Sequence, residues 1–416
     1  MATCVLVRDY RYRIGGYESW VDSLASRLPD FGIEVIVLVP RTFGAQQFIQ
    51  KLKKARIVWV DASTDPVEQA GSLIEGLAEI AQEGVSGVFL SLSYPYVNVA
   101  SINLASSPWL SVPVMHGSHS SVFEWMFADT PRAVIAPSKR LTEFCASEAR
   151  SRVGLIRSMG MVRCIPHGVP LVPDLLTRRV PHVKGGVLRI AVASRLDPLA
   201  KRPMEYIDIA HALHRRGIEF AMTLAGDGPL YEEIQSRVVS QGLLDQVKLL
   251  GAVPRERVQG MLLSADVFLS TSESEAFGLS IAEALAAGCA VVSADIGGEV
   301  AKLVNGQTGF RVPIGDIPAY VECLARFADT PARALPMGIA GRRLIETEYS
   351  EELMLGRYAK LIRKLASSAK PDRHWRGPKI LRVSPADAQM KGVLENLGIP
   401  VWMRGALRKL WRTTGL

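Results

Sequence analysis

Residues 268–299 read FLSTSESEAFGLSIAEALAAGCAVVSADIGGE, and the fold is decided there. The apolar run Val267–Leu269 stops at the polar cluster Ser270-Thr271-Ser272-Glu273-Ser274-Glu275, so a buried strand ends at that point. From Leu279 the spacing turns helical, with Ile281, Ala284 and Leu285 on one face. Gly288 stands where a helix closes on a glycine, and Ala290–Ser293 reads as a second buried strand running into Gly297-Gly298. Strand, helix and strand in this order make one unit of a parallel sheet, whose ligands sit beyond the carboxyl ends of the strands.

Two carboxylates in the unit carry chemistry. Glu275 lies in the loop entering the helix, and Glu283 lies inside it. The N–H groups around Phe277, Gly278 and Leu279 are the unpaired donors of a first helical turn. They make an anion site whose dipole contributes roughly 0.3–2 kcal/mol toward a phosphate. An acid so near an anion site asks for a ligand that also presents hydroxyls, as a ribose or a sugar does. Either Glu alone reads as a capping acid or a solvated helix residue.

The whole stretch resembles the signature of retaining, nucleotide-sugar-dependent glycosyltransferases of family four. Their Glu-x7-Glu pattern appears here as Glu275, Phe277-Gly278, Glu283-Ala284, Gly288 and Gly297-Gly298. The resemblance implies a GT-B fold: two Rossmann-like, doubly wound parallel-sheet domains (α/β) facing across a cleft. It also implies that Glu275 lies beside the transferred sugar and that Glu283 holds the ribose hydroxyls.

At 416 residues the chain exceeds what one core fills, so two domains are expected. The reading divides them as 1–177 on the acceptor side, 178–355 for the nucleotide-sugar, and 356–416 as a crossing helix with a basic tail. Five scattered cysteines suggest neither a disulfide framework nor a zinc site, and a reducing cytosol is expected. Arg8, Asp9, Arg11 and Arg13 interrupt any apolar core a signal peptide would need. Residues 84–123 carry no Asp, Glu, Lys or Arg, but Pro95, Pro108 and Pro113 and many Ser and Asn residues break the run, so no membrane span is expected.

Net charge is +8, and its distribution says more. Residues 1–177 are neutral, residues 178–355 carry −3, and residues 356–416 carry +11. A basic tail seeks an anionic surface. Within it Trp402, Met403, Ala406, Leu407, Leu410 and Trp411 share a helical face opposite Arg404, Arg408, Lys409 and Arg412. That pattern suits a membrane surface or docking on a neighbouring domain, and no nucleic acid is expected.

Along the chain, Cys4–Val7, Ile33–Val39, Val88–Ser91, Pro113–His116 and Ala133–Ala136 read as strands alternating with helices at 17–28, 43–55 and 66–83. Gly15-Gly16 sits at the first strand-to-helix turn; the pair is a tight turn or, by resemblance, a bare backbone near the donor phosphates. His116 ends the Pro113–His116 run, where the resemblance implies an active-site histidine; His119 has no assigned role. Ile165-Pro166-His167-Gly168-Val169 matches the family's Pro-Asn-Gly-Val with His167 in place of Asn. Residues 170–187 have linker composition.

The second domain opens with strand Leu188–Ala193 and the loop Ser194–Lys201. Arg195 and Lys201 flank that loop at a strand's carboxyl end and fit a pyrophosphate. The family's Gly-Arg-Leu…Lys-Gly appears here with Ser194 for the first Gly and Arg202 for the last. Gly251–Pro254, with Val253, lies where relatives cradle the base. Strands follow at Phe220–Leu224, Val247–Leu250 and Gly309–Pro313, and helices near 318–328, 331–347 and 351–366 close the body.

The expectation is a retaining hexosyl-type glycosyltransferase using a nucleoside-diphosphate sugar and an unidentified acceptor, lipid-linked or polysaccharide. No Asp-x-Asp occurs, so no metal or other cofactor is expected. A GT-B sugar-nucleotide epimerase and a non-catalytic nucleotide-sugar-binding homologue are the rival readings.

Overall fold

A computed structural model describes residues 2–8, 16–41, 49, 52–92, 97, 100–101, 103–104, 107–115, 131–154, 158–171, 186–198, 200–297 and 303–378. The chain divides into two compact units, one of residues 1–136, 141–165 and 357–416, the other of residues 137–140 and 166–356.

The first unit holds a seven-stranded parallel sheet: β1 (Ala2–Val7), β2 (Ile33–Pro40), β3 (Arg56–Val60), β4 (Gly87–Leu92), β5 (Trp109–Val114), β6 (Val134–Ala136) and β7 (Val162–Cys164). Their order across the sheet is β3-β2-β1-β4-β5-β6-β7. Three helices of this part are α1 (Gly16–Arg27), α2 (Pro66–Gln82) and α3 (Lys139–Val153). Helix α2 starts where its sequence says it must. Asp65 accepts from the N–H groups of Val67 and Glu68, and Pro66 occupies the first turn, where its missing N–H costs nothing. Val5, Val7, Ile36, Leu38, Leu73, Leu77 and Phe89 form a dry core between sheet and helix.

The second unit has a six-stranded parallel sheet: β8 (Leu188–Ala193), β9 (Phe220–Ala225), β10 (Val247–Gly251), β11 (Val267–Ser270), β12 (Ala290–Ala294) and β13 (Gly309–Val312). Its order is β10-β9-β8-β11-β12-β13. Strands β11 and β12 are buried along their whole length, as parallel strands covered on both faces must be. The helices are α4 (Met204–Arg215), α5 (Tyr231–Ser240), α6 (Arg255–Ser264), α7 (Leu279–Ala286), α8 (Ile317–Asp329) and α9 (Ala334–Glu348). Helix α10 (Glu351–Ala366) begins in this unit and ends in the first.

One ion pair fixes the register on which the site depends. Arg189 at the start of β8 donates Nε and Nη2 to Asp266 at 2.9 and 2.5 Å, and Asp266 also accepts from Arg189 N. That bidentate contact sets Val267 beside Ile190. At the other end Tyr320 Oη donates to Ser270 O at 3.1 Å, and Tyr206 Oη accepts from Thr271 N at 3.4 Å. Both tyrosines are buried, so the carboxyl end of β11 is pinned from two sides.

Three strands depart from the sequence reading. The run expected at Pro113–His116 is instead β5, Trp109–Val114. It starts early because Trp109 buries its indole under α2 and donates Nε1 to Leu77 O at 3.1 Å. Strands β3 and β7 were not anticipated. The first directly follows a lysine-rich stretch read as helix through Ala55, and Leu52–Ala55 form a turn; the rest of that expected helix lies largely outside the described residues. The second is three residues long with an exposed end.

Candidate functional site

The strand order of the second sheet reverses between β8 and β11, the first and fourth strands of the unit. Loops leaving these two strands diverge there and open a crevice outside the carboxyl ends. The loops are Ser194–Pro203 and Thr271–Gly278, and they are stitched together. Glu273 N donates to Ala200 O at 2.8 Å, and buried Thr271 donates Oγ1 to the carbonyls of Lys201 and Arg202 at 3.0 and 3.1 Å. Side chains add Lys201 Nζ to Glu275 Oε1 at 2.6 Å and Arg202 Nη1 to Glu273 Oε2 at 3.0 Å.

This stitching holds a backbone that would otherwise relax. Ala200 and Arg202 have φ of +65° and +48°, left-handed values that cost a residue with a Cβ about 1–2 kcal/mol each. The glycine that the family pattern places at 202 would adopt that conformation without strain; here Arg202 is held there by Glu205, 2.5 Å from Nε, and by Glu273. On the far side the loop lies against the turn Ala225–Pro229. Ser194 N donates to Ala225 O at 3.1 Å and Leu196 N to Asp227 O at 2.9 Å. A Cβ on Gly226 would run into the Ser194 carbonyl, so only glycine allows this approach.

Lys201 and Arg195, the two cations expected to meet a pyrophosphate, are not equivalent. Lys201 and Glu275 are largely withdrawn from water, with side chains 17% and 13% exposed. Arg195 is 66% exposed and pairs with Asp197 at 3.0 Å. Lys201 is therefore a preset charge inside the crevice, while Arg195 is a solvated arm at its rim.

Helix α7 begins beside this pair. Gly278 is its N-cap with φ +70° and ψ +60°, and no side chain caps it. The first N–H groups, from Leu279 onward, and the positive end of the dipole are thus available to an anion. Phe277 anchors the turn: it is buried, edge-on to His167 at 5.4 Å and to Tyr349 at 5.8 Å. His167, the histidine standing in the Pro-Asn-Gly-Val match, therefore packs against the residue that sets up the α7 N-terminus.

Glu283, in the second turn of α7, accepts from Arg255 Nη2 at 2.9 Å. The pair lines a groove with Val169, Pro170, Val258 and Leu262. Burial pushes the Glu283 carboxyl above the usual range, and the Arg255 guanidinium opposes that. Val253 lies half-buried in the loop between β10 and α6, two residues before Arg255.

Of the residues expected from sequence, Arg195, Lys201, Glu275, Phe277 and Gly278 belong to the two loops at the switch point, Leu279 opens α7, and Glu283 and Val253 lie on elements flanking the loops. Gly16 is the first residue of α1 in the other unit. Gly15 and His116 lie outside the described residues. Sequence reasoning missed Thr271, Glu273 and Arg255 as parts of the site and took Arg202 only as a departure from a pattern. Among the described residues no three His, Cys, Asp or Glu side chains gather as metal ligands, and no helix is long and apolar enough to cross a membrane.

Residues 177–344 match the family described as Glycosyl transferases group 1. The amylovoran biosynthesis glycosyltransferase AmsK of Erwinia amylovora is 30% identical over 166 residues, which span 38% of this chain and 41% of that protein. The GDP-mannose-dependent α-(1-6)-phosphatidylinositol monomannoside mannosyltransferase of Mycolicibacterium smegmatis is 24% identical over 81% of this chain and 92% of its own length. Among solved structures, Anabaena Alr3699/HepE in complex with UDP and glucose superposes with a TM-score of 0.68 at 16% identity, covering 88% of this chain and all of that one. A glycosyltransferase from Rickettsia africae gives 0.66 at 17% identity over 88% of this chain and 98% of its own. The two parallel-sheet units are those of the GT-B fold, and the relatives are glycosyltransferases.

Proposed function

We propose that this chain transfers a hexose from a nucleoside-diphosphate donor to an acceptor, with retention at the anomeric carbon and without a metal. The observation that carries the reading is the largely buried Lys201–Glu275 pair beside the uncapped start of α7. A cation, a helix N-terminus and a carboxylate in one crevice suit a ligand that is anionic at one end and hydroxylated at the other. The named donors of relatives agree in class: one relative is GDP-mannose-dependent, and one neighbour was solved with UDP and glucose.

In this reading Lys201, Arg195 and the N–H groups after Gly278 take up the charge that develops on the leaving diphosphate. That is the role a divalent ion fills elsewhere, and the lack of any Asp-x-Asp supports its assignment to these groups. Glu283 accepts from the ribose hydroxyls. Glu275 faces the sugar. The bond from the anomeric carbon to the diphosphate oxygen breaks while the acceptor oxygen bonds to the same face. The acceptor's proton passes to the departing phosphate oxygen. The basic tail supports a lipid-linked acceptor held at an anionic membrane surface.

The test is donor consumption by the full chain with UDP-glucose, UDP-N-acetylglucosamine and GDP-mannose, with and without lipid-linked acceptors, in EDTA. Acceptor-dependent release of nucleoside diphosphate is expected. Release of altered sugar without acceptor would make the protein an epimerase. Failure to bind any of the three donors or their diphosphates would leave a homologue without the activity. Loss of turnover that magnesium or manganese restores would overturn the metal-free reading.

A further inference from the structure

Arg255 stands at a point where its charge is out of place unless it has a task. It is the first residue of α6, and a cation in a first turn opposes the helix dipole. Pro254, extended at φ −58° and ψ +154°, sets the direction in which the chain enters that turn. From there Arg255 reaches across to α7 and donates Nη2 to Glu283 Oε1 at 2.9 Å, leaving Oε2 outside this bond. The groove around the pair is lined mainly by apolar residues, Val169, Pro170, Val258, Leu262, Ala286 and Ala287, with Gln259 beside them.

A carboxylate in such surroundings has two failings as a recognition group. Burial favours its protonated form, which offers one acceptor fewer and adds a donor. It is also free to turn about its last bond, so its second oxygen has no fixed aim. A guanidinium on Oε1 corrects both. Arg342, which α9 directs at α7, does not compete: it donates to Ala286 O at 2.8 Å and pairs with Glu346 at 2.6 Å.

We propose that Arg255 is a positioning residue that orients and holds ionised Glu283 so that its second oxygen recognises the vicinal diol of the donor's ribose. The proposal rests on the reading of Glu283 given above, and it adds a residue that decides how strictly a ribonucleotide is preferred over a deoxyribonucleotide. A surface ion pair would have no such consequence, because its loss would weaken every nucleotide alike or none.

Calorimetry with UDP, GDP and their 2′-deoxy and 3′-deoxy counterparts tests it on the full chain. The wild type should prefer the ribonucleotide by about 10-fold or more, the scale of hydrogen bonds to a charged group. Arg255→Met should bring that ratio to within about 3-fold while deoxynucleotide affinity stays near wild type, and Arg255→Lys, which keeps the charge, should retain part of it. Glu283→Gln should erase the ratio as well. If Glu283→Gln erases the preference and Arg255→Met keeps it, the inference fails alone. If Glu283→Gln keeps the preference, the ribose reading of Glu283 fails and the inference with it.

Discussion

Lys201 Nζ lies 2.6 Å from Glu275 Oε1, joining the loop after β8 to the loop after β11 at the point where the strand order reverses. Both side chains are mostly buried, so each charge is stable in the crevice largely because the other is there. In the proposed reaction a diphosphate entering the crevice would draw Lys201 toward it and release Glu275 to accept from a sugar hydroxyl. The pair thus holds both groups ready without leaving either charge uncompensated.

Glu275→Gln separates the two roles. It keeps the shape and removes the charge that competes for Lys201. Turnover should fall by about 100-fold or more, as for loss of one preorganised electrostatic group. Nucleoside-diphosphate affinity should hold or improve. Wild-type turnover in this variant would remove Glu275 from the reaction.

Lys201 and Arg195 should differ in what their loss does. Lys201→Ala strands the buried Glu275 charge, so it should lower stability by about 2 kcal/mol or more and weaken diphosphate far more than nucleoside. Arg195→Ala removes a group 66% exposed and should leave the melting temperature nearly unchanged, since exposed pairs contribute about 0–1 kcal/mol. Its effect on diphosphate binding should shrink as salt rises. Equal stability losses in thermal melts would show that the two cations share one environment after all.

Arg202 sets strain against tethering. Arg202→Ala keeps a Cβ at φ +48° and removes the bonds to Glu205 and Glu273, so it should destabilise. Arg202→Gly removes the same bonds and the strain together. It should be more stable than the alanine variant by about 1 kcal/mol. Denaturant melts that rank alanine above glycine would mean the loop relaxes out of its left-handed conformation when untethered.

Glu283 is a carboxyl whose folded-state pKa is raised, chiefly by burial, with Arg255 opposing. Such a group favours folding below its unfolded pKa and loses that contribution as pH rises through the folded one. Glu283→Gln, which stays neutral, should therefore melt higher than wild type near pH 7 without ligand. The advantage should vanish in acid, where wild-type Glu283 is protonated too. A variant less stable than wild type at neutral pH would show that the Arg255 pair outweighs the burial.

Most of the second unit was legible because its strands are short apolar runs bounded by polar clusters. Leu188–Ala193 and Glu351–Ala366 have the bounds their residues announce. The site was legible only in part. Spacing singles out Glu275 and Glu283, but nothing local marks Glu273 or Arg255, whose partners are 71 and 28 residues away. Arg202 looked like a lost glycine, since a left-handed backbone is invisible until the chain is folded. Edge strand β3 was missed because half-exposed residues after a lysine cluster carry no buried-strand pattern.

The +11 carried by residues 356–416 is expected to bring the chain to anionic membranes. Ending the chain at Ala366 would remove more than a tail. Trp375 packs on the core of the first unit, Gly377 lies against Ile74, and the Arg373 guanidinium lies against Gly84. The residues through Pro378 thus belong to the folded body, and they hold +6 of the net +11 of residues 356–416. Residues 379–416 hold the other +5, with Trp402 and Trp411. Each cation near an anionic leaflet is worth about 1 kcal/mol, and salt screens it. The full chain should therefore pellet with phosphatidylglycerol vesicles and not with phosphatidylcholine vesicles, less so at high salt. A chain ending at Pro378 should keep its melting temperature and lose most of the pelleting. If it pellets as the full chain does, the attachment lies in the body and the tail is no anchor. If neither pellets, the lipid-linked acceptor loses its main support.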